Sequence, residues 1–199
     1  MERLLAVMAV LLAALVLTGM GVIVFGDLGK DPGTRGDLAA QSQDEPNECG
    51  SAHDAASQIR ADAGRYAVAV PQGWDGRARG SVVKLWDKAS RARLAVGLAP
   101  SGSLTSALVD LRSSLGRAYR RLHVTRTDQL EVGGCPARSI AGRVLNRNGL
   151  SLSFRGMVVA GPENNYALAG FVVRGAEGRL SDDLNRAMRS ISAHAPGSG

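Results

Sequence analysis

The sequence predicts an α+β protein: an N-terminal transmembrane helix, then an antiparallel sheet of about six strands packed with two main helices. An apolar run at 4–25 is long enough to cross a bilayer. Six later segments alternate apolar and polar residues between turn signals, and two stretches repeat apolar residues every three or four positions. The order of three strands, helix, three strands, helix favours a sheet packed against amphipathic helices.

The apolar run at 4–25 carries no charged side chain. As a helix its length is roughly 33 Å, enough for a hydrocarbon core of about 30 Å. Arg3 precedes it as in a signal peptide, but such a peptide has an apolar core of only about 7–15 residues and small residues at its cleavage site. We expect residues 1–26 to be an uncleaved anchor in membrane lipid, with a cytoplasmic N-terminus and an extracytoplasmic C-terminal domain. A cleaved signal peptide is the alternative.

Residues 27–60 are predicted to be a juxtamembrane linker, because they are polar and lack hydrophobic periodicity. A short helix is expected within them at 52–59. Residues 1–60 have a net charge of −4 and residues 61–199 one of +10, which together give the +6 of the whole chain. A basic domain suits polyanions. Outside the cytoplasm we expect no nucleic acid, and the partners we expect are an envelope protein or an anionic envelope component. The alternative is that scattered arginine only keeps the surface soluble.

Cys49 and Cys135 are the only cysteines of the chain. In an oxidising compartment they allow one disulfide, which would tie the linker to the domain and stabilise it by about 4–5 kcal/mol in the loop-entropy model. Two free thiols are the alternative. Two cysteines without a nearby histidine do not form a zinc site.

The predicted domain covers 61–193 and is followed by a disordered tail at 194–199. Its first half has strands at 65–70, 81–86 and 93–98. Ser103 is expected to cap a helix whose apolar residues step by three and four as far as Leu122. The second half has strands at 137–146, 150–160 and 166–174, and a final helix at 179–192. Asn148 and Gly149 indicate a two-residue type I′ hairpin turn.

Two short segments carry a resemblance. Residues 66–74 (YAVAVPQGW) end a strand in Pro-x-Gly-Trp, and residues 132–138 (VGGCPAR) place a turn with Pro and Ala before a strand. With the element order, they resemble the PsbP-like family over about residues 65–192. That family includes the photosystem subunit PsbP and exported actinobacterial lipoproteins. The resemblance implies an α-β-α sandwich that binds or assists assembly, usually without catalysis, and it transfers no site residue. The chain lacks the lipobox cysteine of the lipoprotein members.

No enzyme motif is convincing. Ser81 and Lys84 match Ser-x-x-Lys, but that chemistry needs a helix start and this segment is predicted to be a strand. No histidine is placed between a nucleophile and a carboxylate. We therefore expect no catalytic residue, no cofactor and no metal site. An envelope enzyme or enzyme regulator without a recognisable motif is the alternative.

Trp74, Arg77 and Arg79 form the candidate ligand or partner contact. They are predicted to lie in a loop, where an aromatic ring beside two arginines could bind an anionic or sugar-bearing ligand. The alternative is that Trp74 folds back onto the core while both arginines face water. The sequence thus predicts a single-pass membrane protein that presents a non-enzymatic binding or assembly-accessory domain outside the cytoplasm. A cleaved, secreted ligand-binding protein is the second hypothesis.

Overall fold

The structure is a computed structural model of the 199-residue chain, and it describes residues 57–61, 66–99 and 102–193. The predicted membrane span at 4–25, Cys49 and the tail at 194–199 lie outside the described residues. Within those residues, no helix has the length and apolar character needed to cross a bilayer.

The described residues form two antiparallel sheets. The strands are β1 (Gln58–Ala61), β2 (Tyr66–Ala69), β3 (Trp74–Arg79), β4 (Val82–Asp87), β5 (Ala92–Leu98), β6 (Arg121–Val132), β7 (Cys135–Leu145), β8 (Ser151–Ala160), β9 (Asn165–Val173) and β10 (Ser192–Ala193). The main sheet has seven strands in the order β3-β4-β5-β9-β8-β7-β6, and the small sheet has the order β1-β2-β10.

Helices cover both faces of the main sheet. Helix α1 (Leu104–Ala118) packs on one face of β6 to β9, where Leu111 and Leu115 meet Phe154 and Val158. Helix α2 (Arg179–Arg189) and the small sheet pack on the other face, where Leu184 and its neighbours cover β5 and β9. The architecture is an α-β-α sandwich whose second outer layer also contains a small sheet. The prediction of an antiparallel sheet with two main helices is confirmed.

The six predicted strands are all present, with ends that differ by at most two residues. The Ser103 cap is also confirmed, since its Oγ accepts a hydrogen bond of 3.1 Å from the backbone N–H of Ser106. Both agreements rest on local signals: strand alternation between turns, and a hydroxyl that satisfies a free N–H at a helix start.

The first helix ends earlier than predicted. It stops at Ala118, Tyr119 is extended, and residues up to Val132 form the long strand β6. Leu122 fits a helical step of three, but together with Val124 it also fits the strand period of two. β-branched residues favour the strand, and pairing with β7 along its whole length decides the outcome. The final helix is likewise shorter, because Ser192 and its neighbour form β10.

Two further expectations were wrong. The described end of the short helix predicted at 52–59 belongs to β1, and the segment predicted as a loop after Trp74 is β3. The strand was not predicted because glycine has a low strand propensity. A Cβ at Gly76 would collide with the terminal methyl carbons of Ile59 and Leu85, so glycine lets β1 pack closely on the sheet without displacing these side chains. Of the six predicted strands, five lie in the main sheet, because β2 belongs to the small one. With β3 and β6, the main sheet has seven strands and not six.

The type I′ turn lies at a different hairpin. Asn148 does not have the positive φ that this turn requires, and β7 and β8 are joined by a five-residue loop in which Asn146 Oδ1 accepts from the backbone N–H groups of Asn148 and Leu150. Gly133 and Gly134, between β6 and β7, do have φ of 58° and 83°. The predicted hairpin exists, but its register differs by one residue.

Candidate functional site

The three residues proposed from sequence do not share a surface. Trp74, Arg77 and Arg79 all lie on β3, the edge strand of the main sheet, and not in a loop. Side chains alternate between faces along a strand. Trp74 lies on the α2 face, packed in the core with 6% of its surface exposed, whereas both arginines are exposed on the opposite face. One small ligand could not contact all three.

The predicted disulfide is not tested by the described residues. Cys135 begins β7 and is 1% exposed within the core, while Cys49 lies outside the described residues. The pairing stays a prediction.

A cleft of about 470 Å³ opens between α2 and the outer half of the main sheet. Strands β6, β7 and β8 form its floor, and Leu184 and Asn185 of α2 form part of its wall. The polar side chains that line the floor are His123, Thr125, Arg143, Ser153 and Arg155.

A β-bulge orients the floor of the cleft. His123 pairs with Arg143 and Arg126 pairs with Ala141, so Thr125 is an extra residue without a partner across the ladder. Its Oγ1 donates a hydrogen bond of 3.3 Å to the carbonyl of Ala141. The extra residue resets the alternation. As a result, the cleft side of β6 presents His123 and Arg126 together.

A glycine fixes the inner end of the cleft. Arg155 lies opposite Gly170 of β9, and a Cβ on that glycine would be 2.6 Å from Leu184 Cδ1. Glycine therefore lets α2 approach the sheet closely at the point where Arg155 leaves it. The guanidinium group of Arg155 is half-buried beside the helix.

Positive charges converge on Arg155. Burial lowers the pKa of Arg155, and the charges of Arg126 and Arg189 lower it further, while Asp128 acts in the opposite direction. Asp128 is already bound to Arg126, whose Nε lies 2.7 and 2.8 Å from its two carboxylate oxygens. Among the described residues, no carboxylate forms an ion pair with Arg155. We call this place, with Arg143 and Arg155 inside and Arg126 and Arg189 nearby, the arginine cleft.

Glu177, in the loop before α2, contacts Ser153 of the arginine cleft without lining the cleft itself. It accepts a hydrogen bond of 3.0 Å from Ser153 Oγ and another from the backbone N–H of Gly175. Backbone N–H groups, its own first, lower the pKa of Glu177 below its ordinary 4.5, and Ser153 and Arg174 add to this. The carboxylate thus stays charged at neutral pH, next to Ser153 at the edge of the basic cleft.

The arrangement suits an anion. Guanidinium groups bind phosphate and carboxylate oxygens through paired, charge-assisted hydrogen bonds. A half-buried cation with like charges around it does not favour folding, and such groups are frequent at functional sites. Among the described residues, no group of three His, Cys, Asp or Glu side chains is placed to hold a metal ion.

Sequence reasoning missed the arginine cleft because its residues are far apart in the chain. The only available signal was the hairpin that joins β7 and β8. The predicted two-residue turn would pair Arg143 with Phe154 and send Arg155 to the other face. The observed loop pairs Arg143 with Ser153, which puts both arginines on one face. A register change of one residue decides whether the site exists.

Comparisons with known proteins place the fold. No family model matches the chain, and no curated protein matches it in sequence. The chain is similar to the solution structure of cyanobacterial PsbP from Synechocystis sp. PCC 6803, with a TM-score of 0.54 and 15% identity over 69% of this chain and 92% of that one. It has a PsbP-like fold. The resemblance inferred from residues 66–74 and 132–138 is confirmed at the level of fold.

Two more structures are similar. One is a crystal structure from Bacteroides thetaiotaomicron, with a TM-score of 0.52 and 9% identity over 71% of this chain; the chain spans about half, 49%, of that protein. The other is LpqN of Mycobacterium tuberculosis, described as involved in cell envelope biogenesis, with a TM-score of 0.46 and 13% identity over 65% of this chain and 83% of that one. The first supports the same fold; the value for LpqN is too low to establish it. Identities in this range carry no activity from one protein to another.

Proposed function

We propose that the chain is a single-pass membrane protein that presents a non-enzymatic, PsbP-like binding domain outside the cytoplasm. The arginine cleft of this domain binds an anionic component of the cell envelope. The apolar run at 4–25 and the short basic head support the anchor and its orientation. The fold supports a compact binding domain, and the cleft supports the ligand class.

The half-buried Arg155 is the observation that carries the ligand class. Its guanidinium group loses hydration and is repelled by Arg126 and Arg189, while the nearby Asp128 is already paired. An anion in the cleft would restore hydrogen bonds to Arg155 and reverse the repulsion. The repulsion would then lower the stability of the ligand-free protein slightly and would increase its affinity for the anion.

The size and chemistry of the cleft narrow the ligand further. A volume of about 470 Å³ is within the usual range for one small ligand or one unit of a polymer. Serine, asparagine and histidine side chains beside the arginines can donate to hydroxyl or phosphate oxygens. A phosphate or carboxylate group on a hydroxylated carrier fits this lining.

Inorganic pyrophosphate is a simple probe for the arginine cleft. We would titrate it into the full chain in a neutral detergent and follow binding by calorimetry. Removing a charge-assisted hydrogen bond costs about 1.5–3 kcal/mol, so Arg155→Met should weaken binding roughly 10- to 100-fold. Arg112→Met removes an exposed arginine from α1, on the opposite face, and should leave it unchanged. Equal binding by wild type and Arg155→Met would contradict the proposed site.

The anchor needs a separate measurement. We would fuse a compartment reporter after residue 199 and determine the mature N-terminus by mass spectrometry. We expect an intact N-terminus and an extracytoplasmic reporter. A cleaved N-terminus would support the secreted alternative, and a cytoplasmic reporter would contradict the orientation proposed here.

A further inference from the structure

A second basic surface lies on the other face of the main sheet. Helix α1 covers β6 to β9 there, and no described helix or strand covers the same face of β3 and β4. We call the uncovered part the open face; its outward side chains are Asp75, Arg77, Arg79, Val82, Lys84 and Trp86.

Positive charges on the open face lie directly against each other. Arg77 is the cross-strand partner of Lys84, and both are exposed. Like charges directly opposite each other destabilise a sheet. Asp75 is the one carboxylate among the outward residues of these two strands, and its cross-strand partner is Trp86. This pattern is therefore not explained by sheet stability.

Trp86, and not Trp74, is the aromatic ring that shares a face with Arg77. It is half-buried on the open face, diagonal to Arg77 and next to Lys84 along its own strand. A tryptophan with cations around it is typical of surfaces that meet a membrane interface, where the ring lies at the headgroup level.

Helix α1 extends the same side of the molecule. Val109, on its outer surface, is 56% exposed, more than any other large apolar side chain among the described residues. Arg112 and Arg117 are exposed on the same helix. Apolar and basic groups thus occur together on one side, as membrane-surface binding requires.

We propose that the open face docks onto the anionic surface of the membrane in which the chain is anchored. This inference rests on the proposed anchor, because the juxtamembrane linker predicted at 27–60 would then tether the domain. A polar linker of about 30 residues spans roughly 30 Å on average. A tether of this length keeps the local lipid concentration high, so weak contacts suffice. Docking leaves the arginine cleft, on the opposite face, open to the envelope.

A fluorescence experiment on the full chain tests the docking. The chain is reconstituted into vesicles of phosphatidylcholine alone or with about 30% phosphatidylglycerol, each carrying a small fraction of lipid with a nitroxide on its headgroup. The nitroxide quenches tryptophan at the interface. Trp86 is half-buried and Trp74 is in the core, so Trp86→Phe shows which ring reports. We expect quenching with phosphatidylglycerol only, its loss at high salt and its absence in Trp86→Phe.

Charge variants assign the effect to the open face. Each basic residue near an anionic surface contributes about fivefold in partitioning, so Arg77→Gln with Lys84→Gln should reduce docking by more than tenfold. Arg147→Gln with Arg174→Gln removes the same charge from exposed loop positions off the open face, and should change it far less.

Three results would overturn the docking. The first is equal quenching in both lipids, and the second is quenching that survives in Trp86→Phe. The third is an equal loss of docking in the two double variants. The last result would leave the arginines only a general electrostatic role, or that of preventing edge strands from pairing. A chain that does not float with either vesicle contradicts the anchor instead, which separates failure of the proposed function from failure of this inference.

Discussion

Arg155→Met should stabilise the ligand-free domain and lower its affinity for the anionic ligand. Methionine keeps much of the apolar stem and removes a charge that is half-buried and repelled by Arg126 and Arg189. Because the guanidinium group is still partly hydrated, screening reduces the repulsion, and we expect a gain of about 0.5–1 kcal/mol. For a domain of this size that corresponds to a rise in Tm of roughly 2–5 °C.

Thermal unfolding at two salt concentrations measures the effect of Arg155. Raising the salt from about 0.05 to 0.5 M screens the repulsion, so wild type should gain more stability than Arg155→Met, and the two should converge. Arg112→Met, on the exposed surface of α1, should show neither behaviour. If Arg155→Met had a lower Tm than wild type at low salt, and the difference between them did not change with salt, the idea that Arg155 destabilises the ligand-free domain would be refuted.

Three further results are expected. Gly170→Ala should lower the free energy of unfolding, measured in urea, by about 1–3 kcal/mol, because Leu184 of α2 leaves no room for a Cβ. Gly116→Ala, at a position on α1 with open space around it, should raise it by about 0.5–1 kcal/mol. Equal effects of the two variants would contradict the close approach of α2 to the sheet. The pKa of Glu177 is lower in the folded state than in the unfolded state. Its contribution to the free energy of unfolding is therefore present above the unfolded-state pKa and is lost as the pH falls through the folded-state pKa. Glu177→Gln should therefore flatten the loss of stability below about pH 4.5, and an unchanged pH profile would contradict this. Alkylation of the denatured, unreduced chain should leave Cys49 and Cys135 unlabelled if they pair; two labels would exclude the disulfide.

The parts of the fold that the sequence predicts are those with local causes. The Ser103 cap is a hydrogen bond between residues three positions apart, and the amphipathic stripes of the two helices each lie within one segment. The six predicted strands combine alternation with flanking turns. In these places the propensity of each segment agrees with the packing that it meets.

The errors have two causes: a competition between the helical and the strand period, and tertiary packing that overrides local propensity. Leu122 extends the helical steps of α1, yet it begins the alternation of β6, and only pairing with β7 across the Gly133 turn selects the strand. At Gly76 the tertiary packing of β1 overrides the low strand propensity of glycine. Neither pairing can be seen in the segment itself.

The arginine cleft depends on non-local geometry throughout. Arg126 reaches the correct face only because of the bulge at Thr125, and Arg155 only because of the loop that Asn146 organises. Arg189 comes from α2, after the rest of the main sheet is complete. Composition predicted a basic domain, but no spacing along the chain could show which arginines meet.

Site-specific photo-crosslinking in the cell that makes the chain tests the central claim most directly. A photoreactive residue would be placed at Asn185, in the wall of the arginine cleft, and in a second chain at Ala78, an exposed position on β3 that lies outside both the cleft and the open face. We expect a phosphate- or carboxylate-bearing envelope component on Asn185 that is absent from Ala78 and is lost in Arg155→Met. The same adducts at both positions, or nucleic acid at Asn185, would contradict an extracytoplasmic domain that binds anions in this cleft.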